Sequence, residues 1–256
     1  MNTLIYEEIS NKVVKISFNR PQALNALNQE MLKELDGIID KVKKNTDIKY
    51  LLFTGCGKAF IAGADITEMK DMNNNEALEY GRLGSRLFRK IETLDKITIA
   101  LVNGYCLGGG NELALACDFR FASTNAKFGQ PEVTLGITPG FSGSCRLPRL
   151  VGLAKAKELL YTGKIIDAQE ALAIGLVNRI EESDKLYEAG INFVETLEKN
   201  SFNALMNIKH MMLEGLDAPL EDAIELENIY FSRCFDHFDQ KEGMTAFIEK
   251  RKPIYK

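Results

Sequence analysis

In "LIYEEISNKVVKISFNRP" (4–21), apolar and polar residues alternate on both sides of Asn11-Lys12. This pattern predicts two strands joined by a turn and closed by Pro21. From Asn28 to about Lys44 the apolar spacing becomes helical, with Asn28 as the N-cap. "YLLFTG" (50–55) then reads as a short apolar strand ended by glycine. The unit recurs: a helix over 76–94, the strand "ITIALVNG" (97–104), a glycine run and a short helix in "NELALACD" (111–118). "FRFAS" (119–123) and "KFGQP" (127–131) follow as short strands. Alternating strands and helices predict a layered α/β arrangement, with a loose strand–strand–helix repeat too irregular for a simple solenoid. After about residue 145 the pattern is mostly helical, over 147–163, 167–175, 183–199, 201–216 and 219–235. The chain therefore divides into an α/β core over 1–198 and a helical region over 199–256.

Composition narrows the class. The 256 residues are 45% hydrophobic and 27% charged, as in ordinary globular proteins. Apolar runs such as "ITIALV" (97–102) are too short to cross a bilayer, and "MNTLIYEE" lacks the features of a secretory leader. A cytoplasmic protein with no membrane partner is expected. The net charge is −4, and lysines are dispersed apart from "KVKK" (41–44) and "KRK" (250–252). Without a basic stripe, nucleic acid is not an expected partner. Five cysteines form no CxxC pair, and with two histidines no metal-ligand spacing arises, so no metal is expected. The odd cysteine count predicts free thiols in a reducing compartment.

Three stretches carry candidate chemistry. "NGYCLGGGNELALACD" (103–118) places three glycines, Gly108 to Gly110, directly before a carboxylate and a helix. A strand running into such a loop aims backbone N–H groups and a helix N-terminus at one point. The phosphate signatures fail: there is no GxGxxG, and "GCGKAF" (55–60) lacks the hydroxyl residue of a P-loop. An oxyanion beside an acid or base is the other use, with Glu112 two residues beyond Gly110. Taken alone, this stretch is equally well served by Glu112 merely complementing the helix dipole. "GKAFIAGADITEM" (57–69) is a second small-residue loop after a strand, able to offer another N–H. In "FGQPEVTLGITPG" (128–140), Glu132 follows a proline among Phe128, Val133, Leu135 and Ile137. Apolar neighbours would desolvate it, raise its pKa and suit it to proton transfer.

In this order, with "FNRPQALNALN" (18–28) before them and "QKEGMTAFIEKRKP" (240–253) after, these stretches resemble the enoyl-CoA hydratase/isomerase (crotonase) superfamily. The similarity covers essentially the whole chain and is nearest to the short-chain enoyl-CoA hydratases. It implies an α/β fold, the crotonase (ClpP-like) spiral of ββα units, with C-terminal helices that build trimers stacking into a hexamer. It implies an oxyanion hole from the backbone N–H groups of Ala64 and Gly109, and catalytic glutamates at Glu112 and Glu132; the family's isomerases commonly keep only one of that pair. The substrate would be a small-molecule acyl-CoA, bent past Ala62, Ala64, Asp65 and Ile66. Gly109, Pro131 and Gly140 would line its path, and Phe247 and Lys250 would meet the nucleotide. The CoA thioester is itself the substrate, so no cofactor is implied.

One segment departs from the family pattern. Where hydratases read Gly-Gly-Thr-Gln-Arg-Leu, this chain has "SGSCRL" (142–147), with Ser142 in place of a glycine and Ser144-Cys145 in place of Thr-Gln. A serine hydrolase, which "GFSGS" (140–144) brings to mind, misses the GxSxG elbow at its fifth residue. A non-catalytic acyl-CoA binder would have no use for two glutamates.

Overall fold

The apolar stripe of "NQEMLKELDGIIDKVKK" faces inward as its spacing predicts. The computed structural model describes residues 2–256, and in it helix α1 (Gln29–Lys44) buries Met31, Leu32, Leu35, Ile38, Ile39 and Val42. Asn28 caps it by accepting from the Met31 amide at 2.9 Å. Before it lie strands β1 (Leu4–Glu8) and β2 (Val13–Phe18), paired antiparallel.

The remaining elements of the first unit follow a repeating course. β3 (Tyr50–Gly55) leads to β4 (Ala59–Ile61), then α2 (Ile66–Met69) and α3 (Asn74–Glu92). β5 (Ile97–Val102) leads to β6 (Tyr105–Leu107) and α4 (Gly109–Ala116). β7 (Phe119–Ser123) leads to β8 (Lys127–Gly129) and a 3-10 turn, Pro131–Leu135. In each repeat the first strand joins a six-stranded sheet, ordered β1-β2-β3-β5-β7-β10, and the second joins a four-stranded sheet, ordered β4-β6-β8-β9. Then come α5 (Gly143–Val151), α6 (Leu153–Thr162), β9 (Ile166–Asp167), α7 (Ala168–Ala173) and β10 (Arg179–Glu181). This is the ββα spiral that the sequence resemblance implies.

Why the strands close on glycine is now physical. A Cβ on Gly55 would sit 1.9 Å from the Ala59 carbonyl oxygen, and one on Gly104 would sit 2.0 Å from that of Lys58. At both corners the chain folds from one sheet into the other with backbone against backbone, and only glycine fits. Asn103 ties these corners together, accepting from the Gly55 amide at 3.0 Å and donating to the Gly57 carbonyl at 3.1 Å. The two sheets meet through Phe18 and Phe60, edge to face at 5.4 Å between ring centroids.

The chain divides into two compact units, the first ending at Gly190 and the second running from Ile191 to Lys256. Helix α8 (Leu186–Leu197) spans the division, and the second unit continues as α9 (Phe202–Gly215), α10 (Leu220–Cys234) and α11 (Phe238–Ile248). Two details differ from the sequence pattern. The helix expected over 147–163 is two helices, broken at Gly152, where φ is +77°. The small-residue loop over 57–69 contains the whole of β4, whose three residues are too few for alternation to show. Among the described residues, no helix is long and apolar enough to cross a membrane.

Candidate active site

The three glycines after β6 each answer a separate constraint. Gly108 has φ +48° and ψ −121°, a conformation closed to residues with a Cβ. A Cβ on Gly109 would stand 2.9 Å from Leu27 Cδ1, and one on Gly110 only 2.2 Å from the Ile61 carbonyl oxygen. The start of α4 is thus pressed onto β4, and every residue of α4 is buried. No side chain caps this helix, and among the described residues the Gly109 amide has no protein acceptor.

A second unpaired amide comes from the loop after β4. Leu27 bridges it in parallel fashion, donating to the Gly63 carbonyl at 2.8 Å and accepting from the Asp65 amide at 2.7 Å. The Ala64 N–H between them points away from Leu27 and, among the described residues, also has no protein acceptor. The two loops touch: a Cβ on Gly108 would lie 3.7 Å from Gly63 Cα. Ala64 and Gly109 are each the next residue along, so two orphan donors flank one backbone contact. Such an arrangement suits a developing oxyanion.

Around this point stand the two glutamates. Glu112, one turn into α4, is 1% exposed, and its Oε1 accepts from the amides of Phe141 at 2.8 Å and Gly143 at 2.6 Å. Burial pushes its pKa up to about 7; the Gly143 hydrogen bond opposes this, and the charge of Glu132 adds to it. Glu132, in the Pro131–Leu135 turn, is 8% exposed and its pKa is likewise raised by burial. Its Oε1 lies 3.0 Å from where a Gly108 Cβ would be.

The cause of that burial differs from the one the sequence suggests. Phe128 is buried, but Val133, Leu135 and Ile137 are 46%, 56% and 40% exposed. Glu132 is desolvated instead by the glycine loop and by Gln130, which is buried. Oriented by its hydrogen bonding, the Gln130 amide donates to Glu132 Oε1 at 2.9 Å. The sequence reading missed Gln130, although it stands two residues before Glu132 in the same stretch.

The other candidate residues fall into three groups. Ala62, Ala64, Asp65 and Ile66 form the loop into α2, with Ile66 exposed. The Asp65 carboxylate is engaged: it accepts from Thr67 and from Arg20 at 3.0 Å, and these bonds hold its pKa below the usual carboxylate range. What this loop offers a ligand is therefore its backbone. Pro131 and Gly140 bracket the turn after β8, and Gly140 has open space at its Cβ position. Phe247, 86% exposed at the end of α11, and Lys250, just beyond it, belong to the second unit. Among the described residues, no cluster of three or more His, Cys, Asp or Glu side chains could hold a metal ion.

Comparison with known proteins gives a consistent result. Residues 8–256 match the family model for enoyl-CoA hydratase/isomerase. The chain is 47% identical to a short-chain-enoyl-CoA hydratase of Clostridium acetobutylicum over 98% of this chain and 97% of that one. It is 46% identical to a crotonyl-CoA hydratase of Syntrophomonas wolfei, covering 97% and 98%. Its fold superposes on the crystal structure of an enoyl-CoA hydratase from Bacillus anthracis with a TM-score of 0.95 and 38% identity, covering 100% and 99%.

Proposed function

This chain belongs to the enoyl-CoA hydratase/isomerase family, and from that premise we propose that it reversibly hydrates short trans-2-enoyl-CoA thioesters to 3-hydroxyacyl-CoA. The observation that carries the reading is the convergence of two unpaired amides and two buried carboxyl groups on one loop contact. Similarity to the short-chain-enoyl-CoA and crotonyl-CoA hydratases supports the choice of a short acyl chain.

In this mechanism the thioester oxygen accepts from the N–H groups of Ala64 and Gly109. Donors aimed at developing charge contribute about 3–4 kcal/mol each by mutational precedent. The Glu112 carboxylate takes a proton from water as the water oxygen bonds to C3. The alkene electron pair moves toward the thioester, and the enolate charge falls on the oxygen between the two amides. The Glu132 carboxylic acid then delivers its proton to C2 on the same face, giving syn addition. Dehydration runs the same steps backwards. Burial raises the pKa of both carboxyls, and the two amides on Glu112 Oε1 favour its ionised form, which suits Glu112 to act as base and Glu132 as acid. The thioester acidifies C2, so the proposal uses no dissociable cofactor.

The assembly proposed with this function is a hexamer, a dimer of trimers. Exposed apolar residues of the second unit, Phe231, Phe247, Ile248, Leu216 and Leu220, support association. Light scattering should then give six times the 28.7 kDa chain mass.

The direct test mixes the protein with crotonyl-CoA and follows loss of the conjugated enone's ultraviolet absorbance, with Glu132→Gln in parallel. The expected result is rapid loss in the parent and a fall of about 10²–10⁴-fold in the variant. Near-parental turnover in Glu132→Gln would remove that residue from the mechanism. The configuration of the deuterium placed at C2 in heavy water, relative to the hydroxyl at C3, reports the face of addition.

A further inference from the structure

Ser142 is where the sequence departs from the glycine that the family resemblance leads one to expect, and its backbone keeps a glycine-like shape, with φ +82° and ψ +22°. Residues with a Cβ adopt that region at an energetic cost, and they persist in it where their surroundings hold them there. Here the surroundings do so. The Ser142 carbonyl accepts from the amides of Cys145 at 3.1 Å and Arg146 at 3.0 Å, starting α5. The Arg146 guanidinium donates to the Phe141 carbonyl at 3.2 Å and is itself held by Glu92 at 2.9 and 3.0 Å. With the carbonyls turned outward, the amides on either side of Ser142 turn inward to a single oxygen, Glu112 Oε1. Alternating backbone of this kind forms a concave anion site, and the anion here is a side chain of the protein. Among the described residues the Ser142 hydroxyl has no hydrogen-bond partner and does not cap α5, so what this residue supplies is backbone shape.

We propose that Ser142 is a positioning residue: its left-handed turn presents the Phe141 and Gly143 amides to Glu112 and holds that carboxylate aimed and ionised for proton transfer. The inference rests on the role given to Glu112 above. Three other groups act on Glu112, each from a different element: Glu132 from the turn after β8, Arg146 from α5 and Tyr80 from α3. All three are chemically unchanged in a residue-142 variant, and Arg146 is bonded to the turn itself through the Ser142 and Phe141 carbonyls, so substitutions at 142 read the turn together with the Arg146 contacts that depend on it.

The test follows the Glu112 carboxyl directly, by carbon-13 resonance in protein labelled at the glutamate side-chain carboxyls, with Glu112→Gln identifying the signal. Ser142→Gly and Ser142→Asn accept left-handed backbone, Ser142→Ala accepts it poorly and Ser142→Val worst. The midpoint of titration should stay at its parental position in the Gly and Asn variants. It should rise in Ala, and rise further in Val, by about one pH unit, because amide donors favour the ionised form. The acid limb of crotonyl-CoA hydration should move upward with it. A parental midpoint in both Ala and Val would overturn the proposal. A rise in Gly as large as that in Ala would also overturn it, by transferring the role to the hydroxyl. If the Val variant fails to fold, the comparison of Ala with Gly and Asn still decides. Ordered midpoints in a protein that leaves crotonyl-CoA unchanged would keep the turn's role and dismiss the hydratase reading; hydration with unmoved midpoints would do the reverse.

Discussion

A methyl group on Gly108 would stand 3.0 Å from Glu132 Oε1, so the loop that offers the Gly109 amide and the carboxyl proposed as acid are in contact. Gly108→Ala should therefore strike twice. It forces a side chain into a conformation that costs about 1–3 kcal/mol, and it pushes Glu132 away from its place. Calorimetry should show a lowered Tm, and crotonyl-CoA turnover should fall about 10²-fold from misplacement alone.

Glu112 makes stability depend on pH. Its folded pKa of about 7 lies above the ordinary carboxylate value of 4.5. The folded state thus favours the protonated form: the group costs nothing below its unfolded pKa, and stability is lost as pH rises towards the folded pKa. In Glu112→Gln that loss is absent. Denaturant titration should find the variant about equal to the parent at pH 4 and more stable at pH 8, by up to about 3 kcal/mol. Equal stability at both values would mean that Glu112 is ionised in the folded protein at no cost.

Phe141 is seated in a slot that depends on a missing side chain. A Cβ on Gly84 would lie 2.3 Å from Phe141 Cδ1, and the ring is closed in by Tyr80 and Phe88 at 5.2 and 5.6 Å between centroids. Gly84→Ala overpacks this slot, a change that typically costs about 1–3 kcal/mol. Because the Phe141 amide also donates to Glu112, turnover should fall together with Tm. A stable variant with parental turnover would show that the ring has room to move.

Burial pushes the Glu92 pKa up, but Arg146, which holds Glu92 across the first unit, and Arg89 together keep it below its ordinary value. A lowered folded pKa contributes stability that is present above the unfolded value and is lost as pH falls through the folded one. Arg146→Met should destabilise by about 2 kcal/mol at pH 7, for a pair that is only partly buried. The difference should shrink in acid, as Glu92 becomes protonated in both proteins. Chemical denaturation at pH 7 and at successively lower pH values measures it.

Much of this was legible along the chain because it is local. The helical spacing after Asn28 and the apolar run "YLLFTG" gave α1 and β3 within a residue. The glutamates stood out because each follows a glycine or proline signal. What escaped were features made by tertiary contact. β4 exists because it pairs with β6, and Gln130 matters because its amide meets Glu132. Apolar neighbours in sequence also misled: Val133, Leu135 and Ile137 lie beside Glu132 in the chain but face outward. A 3-10 turn does not gather adjacent side chains on one side.

Helix α4 is covered along its whole length, including the residues that carry Gly109 and Glu112. Its hydrogen-bonded amides, from Glu112 onward, should exchange with solvent deuterium only when the first unit unfolds as a whole, on the slowest timescale the protein shows. The Glu112 side of the site is therefore held by the core itself. The turn from Val133 to Gly140, exposed over most of its length, should exchange far faster.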